Sequence, residues 1–479
     1  MSLIADLVAA LGSAHVLTGG DSGRYARDWM GTYEGSPVAV ARPGSTAEVA
    51  EVLRIAARHG VPVVPVAGNT GLTGATWTEG GVMLSVERLN RIRELRADAR
   101  IAVVEAGVVL SRLHEAAAER GLYFPLWFGA RGSAMIGGVL STNAGGSNVL
   151  RYGSTRALCL GLEVVLADGR VLNLMSELHK DNSGYDLKQL FIGAEGTLGV
   201  ITAAVMKLVP APLAHATAVL AARSLPDALV LLNRLQAASG GLVEAFEFMP
   251  ASYQRRLQAV RPDLGLPFER VHEVTILVEL GATSPALAGV AADGAVPLVT
   301  LLEETLAGLM EEGLVLDATV AQSDRQRAAM WARREAAAEI GAAVKPMIDT
   351  DIAVPLDKAD AFLTEVHKRL DFLPEGAETV TVAHLGDGNL HFSVYPGDPS
   401  DALYDRVVSV VEDVVQELRG SFSAEHGVGL SKLNSMARRK DGVALEVMRA
   451  IKAALDPEGR MNPGKVIPPE AAATRVNAE

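Results

Sequence analysis

Two histidines flank a short turn in the second half of the sequence, and a glutamate follows further along the chain. His384 and His391 lie on either side of the turn sequence LGDGN, between the alternating stretches TVTVAH and LHFSV that predict paired strands. A tight hairpin would bring the two imidazoles to neighbouring positions at its mouth. With Glu425 they would offer a divalent cation two nitrogens and one carboxylate and leave coordination positions open for chemistry. The alternative is that these residues are ordinary polar side chains near a turn.

Three glycine-rich stretches in the first half of the chain could approach a phosphate group. Glycine lets backbone N–H groups come close to phosphate oxygens, because no Cβ blocks the approach. No dinucleotide-type G-x-G-x-x-G motif and no P-loop G-x-x-x-x-G-K-[ST] motif is present, which disfavours nicotinamide and kinase-type sites. Each stretch alone could be a turn, but three in order predict a nucleotide cradle. The stretches are PVAGNTGLTG (65–74), RGSAMIGGVLSTNAGGSNVLRYG (131–153) and IGAEGTLGVIT (192–202).

Alternating and helical patterns indicate how these residues are positioned. Residues 1–212 predict one α+β unit, with helices at TAEVAEVLRIAARHG and LSRLHEAAAERG. After the break Pro210-Ala-Pro212 the chain becomes alanine-rich and helical, so a second domain is predicted over 213–420. A C-terminal segment, 421–479, carries the helix GVALEVMRAIKAAL. Strands are predicted at VPVVPVA, VMLSV, IAVVEAG, LGLEVVLADG, EVTILVEL and ETVTVAHLG.

Composition narrows the classes of function. The 479 residues carry 44 Lys plus Arg against 57 Asp plus Glu, a net charge of −13, which disfavours nucleic acid as a partner. Cys159 is the single cysteine, so an internal disulfide, a cysteine-rich zinc site and an iron–sulfur cluster are excluded. No stretch supplies the roughly 20 apolar residues of a transmembrane helix, and the start lacks the basic region of a secretory signal. We expect a cytoplasmic protein.

The glycine stretches and several later motifs together resemble one family. The segments DNSGYDLKQLFIGAEGTLGVIT, HLGDGNLH, SAEHGVG and DPEGRMNPGK are similar, in this order, to motifs of the vanillyl-alcohol oxidase and p-cresol methylhydroxylase flavoproteins. Within that family, the motifs are most similar to those of the D-2-hydroxyacid dehydrogenases. This branch includes enzymes that oxidise D-lactate, D-2-hydroxyglutarate or glycolate. It implies an α+β fold with a two-part FAD-binding domain, an inserted cap that forms the substrate site, and a C-terminal segment that returns to the flavin.

The same resemblance assigns residues to FAD. Residues 61–80 contain no histidine, so the covalent link that some members form in the first loop is not expected, and FAD should be bound noncovalently. The backbone and side chains implied in FAD binding are Gly68, Asn69, Thr70, Gly71, Leu72, Pro125, Gly132, Ser133, Gly137, Gly138, Thr142, Asn143, Gly145, Gly146, Glu195, Gly196, Gly199, Ile201 and Asn462.

For the reaction, the resemblance carries the metal ligands onto His384, His391 and Glu425, with zinc favoured and manganese or ferrous iron also fitting. It places the proton acceptor at His426, whose alternative role is to hold the Glu425 loop. In the helical segment MWARREAAAEIG (330–341) it selects Arg334 as the partner of the substrate carboxylate, with Arg333 a solvated neighbour.

Three positions depart from the family pattern. Asp349 stands where the family commonly has a lysine, Ser393 where hydroxyglutarate-oxidising relatives have Asn, and Trp127 where an acidic residue or a small apolar one is usual. An aspartate should repel a second substrate carboxylate and Trp127 could offer an apolar wall. The alternative is that Lys345, four residues earlier, restores the positive charge from another direction. Short or apolar D-2-hydroxy acids, with D-lactate as the type, are therefore favoured over D-2-hydroxyglutarate.

Two hypotheses from other functional classes are alternatives to a flavoprotein dehydrogenase. A metal-dependent hydrolase would use the same three ligands to activate water, with the glycine stretches as plain turns. A non-catalytic nucleotide-binding protein would not explain the histidines. For the dehydrogenase we expect a small 2-hydroxy acid as substrate, an electron-transfer flavoprotein or a quinone as electron acceptor, and a homodimer.

Overall fold

The computed structural model describes residues 2–397 and 400–469. Its first part contains two larger sheets with helices around them, and a small antiparallel sheet of β7 and β11. The first sheet has the strand order β1-β2-β4-β3, in which β2, β4 and β3 run parallel, and the second is antiparallel with the order β5-β6-β10-β8-β9. The elements are α1 (Leu3–Leu11), β1 (Val16–Leu17), α2 (Gly23–Ala26), β2 (Ala39–Ala41), α3 (Thr46–His59), β3 (Val63–Val66), β4 (Val82–Ser85), β5 (Ile92–Arg96), β6 (Ile101–Glu105), α4 (Leu110–Ala118), β7 (Leu122–Tyr123), α5 (Ile136–Thr142), α6 (Val149–Tyr152), α7 (Thr155–Leu158), β8 (Cys159–Val165), β9 (Val171–Leu174), α8 (Lys188–Phe191), β10 (Val200–Lys207) and β11 (Val209–Pro210).

Local sequence explains the sharp ends of these elements. The Ser45 hydroxyl accepts a hydrogen bond from the N–H of Glu48, and the Glu48 carboxylate accepts one from the N–H of Gly44. These two bonds cap the N-terminus of α3. Gly60 ends the helix in the left-handed conformation, at φ 66°. The apolar face of α3, which includes Val52 and Ile55, is buried in the core shared by both sheets.

The second part is built on a seven-stranded antiparallel sheet with the order β15-β12-β14-β13-β17-β18-β16. Helices α9, α12, α15 and α16 cover one face of this sheet and form its main core. The opposite face carries a smaller apolar cluster and the polar residues of the candidate site. The elements are β12 (Ala214–Ala222), α9 (Leu225–Ser239), β13 (Val243–Phe248), α10 (Ala251–Val260), β14 (Thr275–Ala282), α11 (Pro285–Ala288), α12 (Pro297–Glu311), β15 (Val315–Val320), α13 (Asp324–Glu335), α14 (Ala337–Ala342), β16 (Ile348–Ala353), α15 (Ala359–Arg369), β17 (Glu378–His384), β18 (Asn389–Tyr395) and α16 (Asp401–Glu417).

The last part of the chain returns to the first. It holds α17 (Leu433–Arg439) and α18 (Gly442–Leu455). Before α17, the Leu430 N–H donates to the Thr73 carbonyl at 2.8 Å, and after α18 the Asn462 N–H donates to the Val63 carbonyl at 2.8 Å. The C-terminal segment therefore packs on the first glycine loop and on the edge of the first sheet.

All six predicted strands, the hairpin around LGDGN and the helices at 46–59, 110–118 and 442–455 are confirmed. In the second part, the strands EVTILVEL, ETVTVAHLG and LHFSV are predicted beside an alanine-rich, helical composition, and the structure adds four more strands to the same sheet. Strand β12 reads AHATAVLAA; alanine favours helices in isolation, but here small side chains let helices pack closely on the sheet. The segment 330–341 is interrupted at Ala336, between α13 and α14. The division of the chain at residues 212 and 420 stays a prediction.

Candidate active site

Strand register brings the candidate metal-binding residues to one face of the large sheet. In the hairpin, His384 of β17 lies opposite Asn389 of β18, and His391 lies opposite Asp351 of β16. Side chains two residues apart on a strand share a face, so the two histidines and Asp351 point to the same side. The alternating pattern predicts a hairpin that brings the two histidines to neighbouring positions, and the structure has this hairpin.

Glu425 completes the predicted triad from the C-terminal segment. Its Oε1 atom lies 3.5 Å from His391 Nε2 and 3.8 Å from His384 Nε2. Ligands about 2.1 Å from a tetrahedral ion are roughly 3.4 Å apart, so Glu425 Oε1 lies at nearly that separation from each imidazole nitrogen. The two imidazole rings have centroids 5.6 Å apart. Two imidazole nitrogens and a carboxylate oxygen are a donor set that fits a divalent transition metal.

A buried carboxylate that the sequence analysis missed orients two of the predicted residues. Glu247 of β13 is fully buried; its Oε1 lies 2.9 Å from His384 Nδ1 and its Oε2 accepts Arg334 Nε at 2.7 Å. Burial opposes a charge on His384, but the Glu247 carboxylate outweighs it and raises the pKa of His384 to about 9. Without a metal this imidazole therefore carries protons on both nitrogens near neutral pH. A cation at Nε2 would displace the Nε2 proton, while Glu247 would hold the proton on Nδ1.

Asp351 is the second residue that sequence reasoning missed. Its Oδ2 atom accepts the backbone N–H groups of Ala424, Glu425 and His426 at 3.2, 3.0 and 2.9 Å. Burial disfavours this carboxylate, yet His426, Lys432 and His391 hold its pKa far below the ordinary range. Asp351 thereby fixes the Glu425 loop against the sheet.

The predicted base lies beside the predicted ligands. The ring of His426 stacks on that of His391, with centroids 5.4 Å apart, and its Nδ1 lies 3.8 Å from Asp351 Oδ2. Ligand atoms of Asp351, His391, Glu425 and His426 all lie within 4.8 Å of one another. Burial lowers the pKa of His391 well below its ordinary value, which keeps that imidazole neutral.

The two arginines of α13 have different environments. Arg334 is 8% exposed, and its terminal nitrogen NH2 lies 3.5 Å from His384 Nε2, at the edge of the cluster. Arg333 instead donates from Nε to the carbonyls of Leu264 and Gly265, each at 3.1 Å. Arg334 is thus the arginine that faces the candidate metal ligands.

Two of the three departures from the family pattern lie beside this cluster. Asp349 and Ser393 face each other on β16 and β18, and the Ser393 hydroxyl donates to the Asp349 carboxylate at 2.7 Å. Trp127 has other neighbours: its indole stacks on His114, lies 4.0 Å from the guanidinium of Arg131, and donates from Nε1 to Glu335 at 3.1 Å. Trp127 thus links the glycine-rich part to the end of α13.

The first glycine loop has the backbone of an anion-binding site. In the described part of the chain, no protein acceptor takes a hydrogen bond from the N–H groups of residues 68–72. A Cβ at Gly68 would lie 2.1 Å from the carbonyl oxygen of Ser133, so this position must be glycine for the loops to meet. Gly71 and Gly132 face open space instead. Unpaired amides beside open space fit a phosphate group.

Side chains around this loop mostly support its shape. The Asn69 amide accepts from the Thr76 hydroxyl at 2.7 Å and donates to the Arg27 carbonyl at 3.0 Å, so part of its hydrogen-bonding capacity holds the loop itself. Asn462 donates to the Glu195 and Ala75 carbonyls, while its buried Oδ1 has no protein partner. A buried acceptor without a donor fits an FAD hydroxyl or amine at this place.

The remaining residues implied in FAD binding are described by their local contacts. Gly137 packs on Ala106, Gly138 on Ala67, Gly146 on the Trp127 carbonyl, Gly196 on Pro65 and Gly199 on Val164. Asn143 and Glu195 adopt left-handed backbone conformations, at φ 52° and 50°. Pro125 and Ile201 are buried, Leu72 is exposed, and the Thr142 hydroxyl donates to the Gly138 carbonyl. For Thr70 no side-chain contact points to a role.

The glycine-rich loops lie next to the cluster formed by His384, His391, Glu425 and His426. A Cβ at Gly145 would lie 3.0 Å from Glu425 Oε2, so the second glycine stretch touches a candidate metal ligand. The Glu195 carboxylate accepts the N–H groups of Val428 and Gly429, at 2.7 and 2.8 Å, just after His426. A molecule in the cradle would therefore have the histidine cluster beside it.

Comparison with known proteins identifies the family. The model for "FAD linked oxidases, C-terminal domain" matches residues 211–466, and that for "FAD binding domain" matches residues 37–175. The chain belongs to the FAD-linked oxidase family. It is 39% identical over 451 residues to a mitochondrial D-2-hydroxyglutarate dehydrogenase of Bos taurus, covering 93% of this chain and 79% of that protein. A D-2-hydroxyglutarate dehydrogenase of Xanthomonas citri pv. viticola is 38% identical over 96% of this chain and 95% of its own.

Solved structures confirm the predicted fold of this FAD-linked oxidase. Substrate-bound p-cresol methylhydroxylase has a TM-score of 0.70 at 16% identity, covering 97% of this chain and 96% of that one. A 4-ethylphenol oxidase from Gulosibacter chungangensis has a TM-score of 0.71 at 18% identity, covering 98% and 97%. The predicted family and FAD as cofactor are confirmed, and the FAD-binding domain disfavours a flavin-free hydrolase. Among the described residues, no helix is both long and apolar enough to cross a membrane.

Proposed function

We propose that this FAD-linked oxidase converts a D-2-hydroxy acid to the 2-oxo acid, with a divalent cation held by His384, His391 and Glu425. The observation that carries the proposal is the contact between Gly145 of the cofactor loops and the Glu425 carboxylate. It puts a nucleotide cradle and a donor set for a metal against each other. Curated relatives that act on a D-2-hydroxy acid support the same reaction class.

The chain's own residues divide the remaining work. Arg334 donates Nε to Glu247, which leaves its two terminal nitrogens to bind the substrate carboxylate. His426 has its backbone N–H and Nδ1 directed at Asp351, which leaves Nε2 to accept the proton of the substrate hydroxyl. Loss of this proton and of the C2 hydrogen as a hydride converts the alcohol carbon to a carbonyl, with no other bond broken.

The bound groups would supply what side chains cannot. FAD would supply the hydride acceptor, and the cation would favour ionisation of the substrate hydroxyl. Zinc is the favoured ion, with manganese or ferrous iron compatible with the same ligands. FAD is proposed to bind noncovalently, because loop 65–74 contains no histidine.

The side chain of the substrate is proposed to be short or apolar, with D-lactate as the type. Asp349 lies on the same strand face as Asp351, where its charge would repel a second carboxylate. D-2-hydroxyglutarate is the second candidate, favoured by the relatives of Bos taurus and Xanthomonas. The electron acceptor, a homodimeric state and a cytoplasmic location stay predictions from the sequence.

The test is a screen of paired enantiomers of 2-hydroxy acids with an artificial dye as electron acceptor. We expect dye reduction with D-acids, and one 2-oxo acid formed for each two electrons that reach the dye. The control is the same protein after chelation with its flavin retained. Equal or faster turnover of the L-acids, or no turnover of any 2-hydroxy acid by metal-replete protein with full flavin content, would contradict the proposal.

A further inference from the structure

We infer that Asp349 and Ser393 form a hydrogen-bond-accepting end of the substrate site, which selects D-2-hydroxy acids whose side chain ends in an ammonium or hydroxyl group. The inference rests on the proposed oxidation of a D-2-hydroxy acid and refines the choice of side chain. Among longer side chains, one that ends in a hydrogen-bond donor is preferred to an apolar one of the same length, and both are preferred to one that ends in a carboxylate. It is carried by the strand register, the difference between the two directions along the strands and the local distribution of charge.

The register sets the distance. Asp349 lies opposite Ser393, and Asp351 lies opposite His391, so the two pairs are successive pairs on one face of β16 and β18. Positions two residues apart on a strand are about 7 Å apart. A side chain of three or four atoms, leaving C2 of a substrate bound at His391, has the length to reach Asp349.

Along β16 and β18, the two directions away from the Asp351 and His391 pair differ. In the other direction, Asn389 donates to Asp351 Oδ1 at 2.9 Å, and the backbone of residues 424–426 covers Asp351 Oδ2. Protein groups thus fill that end. Asp349 itself is exposed.

No cation near this end is paired with Asp349 in the described part of the chain. Arg334 pairs with Glu247 and Lys432 with Asp351. Arg256 pairs with Glu378 and lies 3.7 Å from the ring centre of Tyr395, and its buried Nη1 has no protein partner. Across residues 2–397 and 400–469, the polar side-chain contact of Asp349 is with Ser393, and no lysine or arginine forms an ion pair with it. A carboxylate accepts at several lone-pair positions, so one hydroxyl donor does not saturate it.

The experiment uses four D-2-hydroxypentanoates that differ only at C5, which is a methyl, a hydroxymethyl, an aminomethyl or a carboxylate group. The readout is kcat/KM for the flavin-loaded, metal-replete enzyme with a dye acceptor. For the wild type we expect the ammonium compound to exceed the methyl compound by about 10-fold, and the carboxylate compound to fall about 10-fold below it. The hydroxyl compound should lie between the ammonium and methyl compounds.

Two variants and a control assign this order to Asp349. Asp349→Asn should bring the ammonium and carboxylate compounds to within about 2-fold of each other, and Asp349→Lys should reverse their order. Asp371→Lys makes the same charge change at an exposed position after α15, on the opposite face of the sheet, and should keep the wild-type order. Flavin content checks that each variant is folded.

Each failure has a separate meaning. A wild-type preference for the carboxylate compound, or an unchanged order in Asp349→Asn, would overturn the assignment of Asp349 while D-2-hydroxy acid oxidation stands. If neither the four compounds nor D-lactate reduces the flavin, the proposed function is wrong, and this inference is wrong with it.

Discussion

The cofactor cradle and the histidine cluster adjoin each other but are built in different ways. In the cradle, backbone groups face the ligand space, as the unpaired N–H groups of residues 68–72 and the close packing at Gly68 show. In the cluster, side chains from β13, β16, β17, β18 and the C-terminal segment meet through ion pairs. A site made by backbone leaves contiguous motifs in the sequence, whereas a site made by side chains depends on strand pairing.

The largest effect should come from a side chain of the cluster that does not support the fold. His426→Ala should slow flavin reduction by D-substrate by roughly 10²- to 10⁴-fold, because a positioned proton acceptor is lost. Anaerobic stopped-flow absorbance measures this step without the electron acceptor. His367→Ala, at an exposed position on α15, is the matched control and should reduce flavin at the wild-type rate. An unchanged rate in His426→Ala would mean that another group takes the proton.

Two glycines separate the functions of the cradle backbone. Gly71→Val should abolish FAD binding but leave the melting temperature of the apoprotein unchanged, because its side chain enters open space. Gly68→Val should lower FAD binding and also destabilise the fold by about 1–3 kcal/mol, since its Cβ meets the Ser133 carbonyl. Flavin stoichiometry and thermal melting of apoprotein distinguish the two variants. Stoichiometric flavin with unchanged affinity in Gly71→Val would show that the cradle is misplaced.

More of the cradle than of the histidine cluster could be predicted from the sequence alone. The His384 and His391 pair was predictable because a local hairpin sets it, and the glycine loops because their motifs are contiguous. Asp351 and Glu247 were missed because their partners come from strands and loops distant in sequence. A signal did exist: Glu247 is a charged residue within the apolar strand VEAFEF, and Asp351 alternates with Asp349 in IDTDIA.

The orienting role of Glu247 should be visible in metal affinity. Glu247→Gln should weaken binding of zinc about 10- to 100-fold, because His384 loses the carboxylate that holds its Nδ1 proton. Competition with a fluorescent chelator measures this affinity. Glu279→Gln is the matched control, since that buried glutamate of the neighbouring strand bonds Arg327, Trp331 and Thr217 instead. Equal losses of zinc affinity in both variants would mean that Glu247 stabilises the sheet but does not orient His384.

The smallest expected effect is on stability and involves His114, whose ring stacks on Trp127. Burial lowers the pKa of His114 to about 4, below its ordinary 6.5. The unfolded chain therefore takes up this proton first, and stability falls as pH drops from about 6.5 toward 4. Between pH 7 and 5.5 this should cost about 1 kcal/mol of unfolding free energy. Urea titrations should show a smaller loss in His114→Gln than in wild type or His367→Gln; identical losses in all three would exclude this cause.

The central claim is that the cradle and the cluster act as one site on D-2-hydroxy acids, and single-turnover bleaching of the flavin tests it most directly. Protein as purified, chelated and then re-metallated should be mixed anaerobically with D- or L-lactate. We predict bleaching by the D-enantiomer before chelation and after re-metallation, and an unbleached but fully retained flavin in the chelated protein. Rapid bleaching in rigorously metal-free protein, or faster bleaching by the L-enantiomer, would contradict the account.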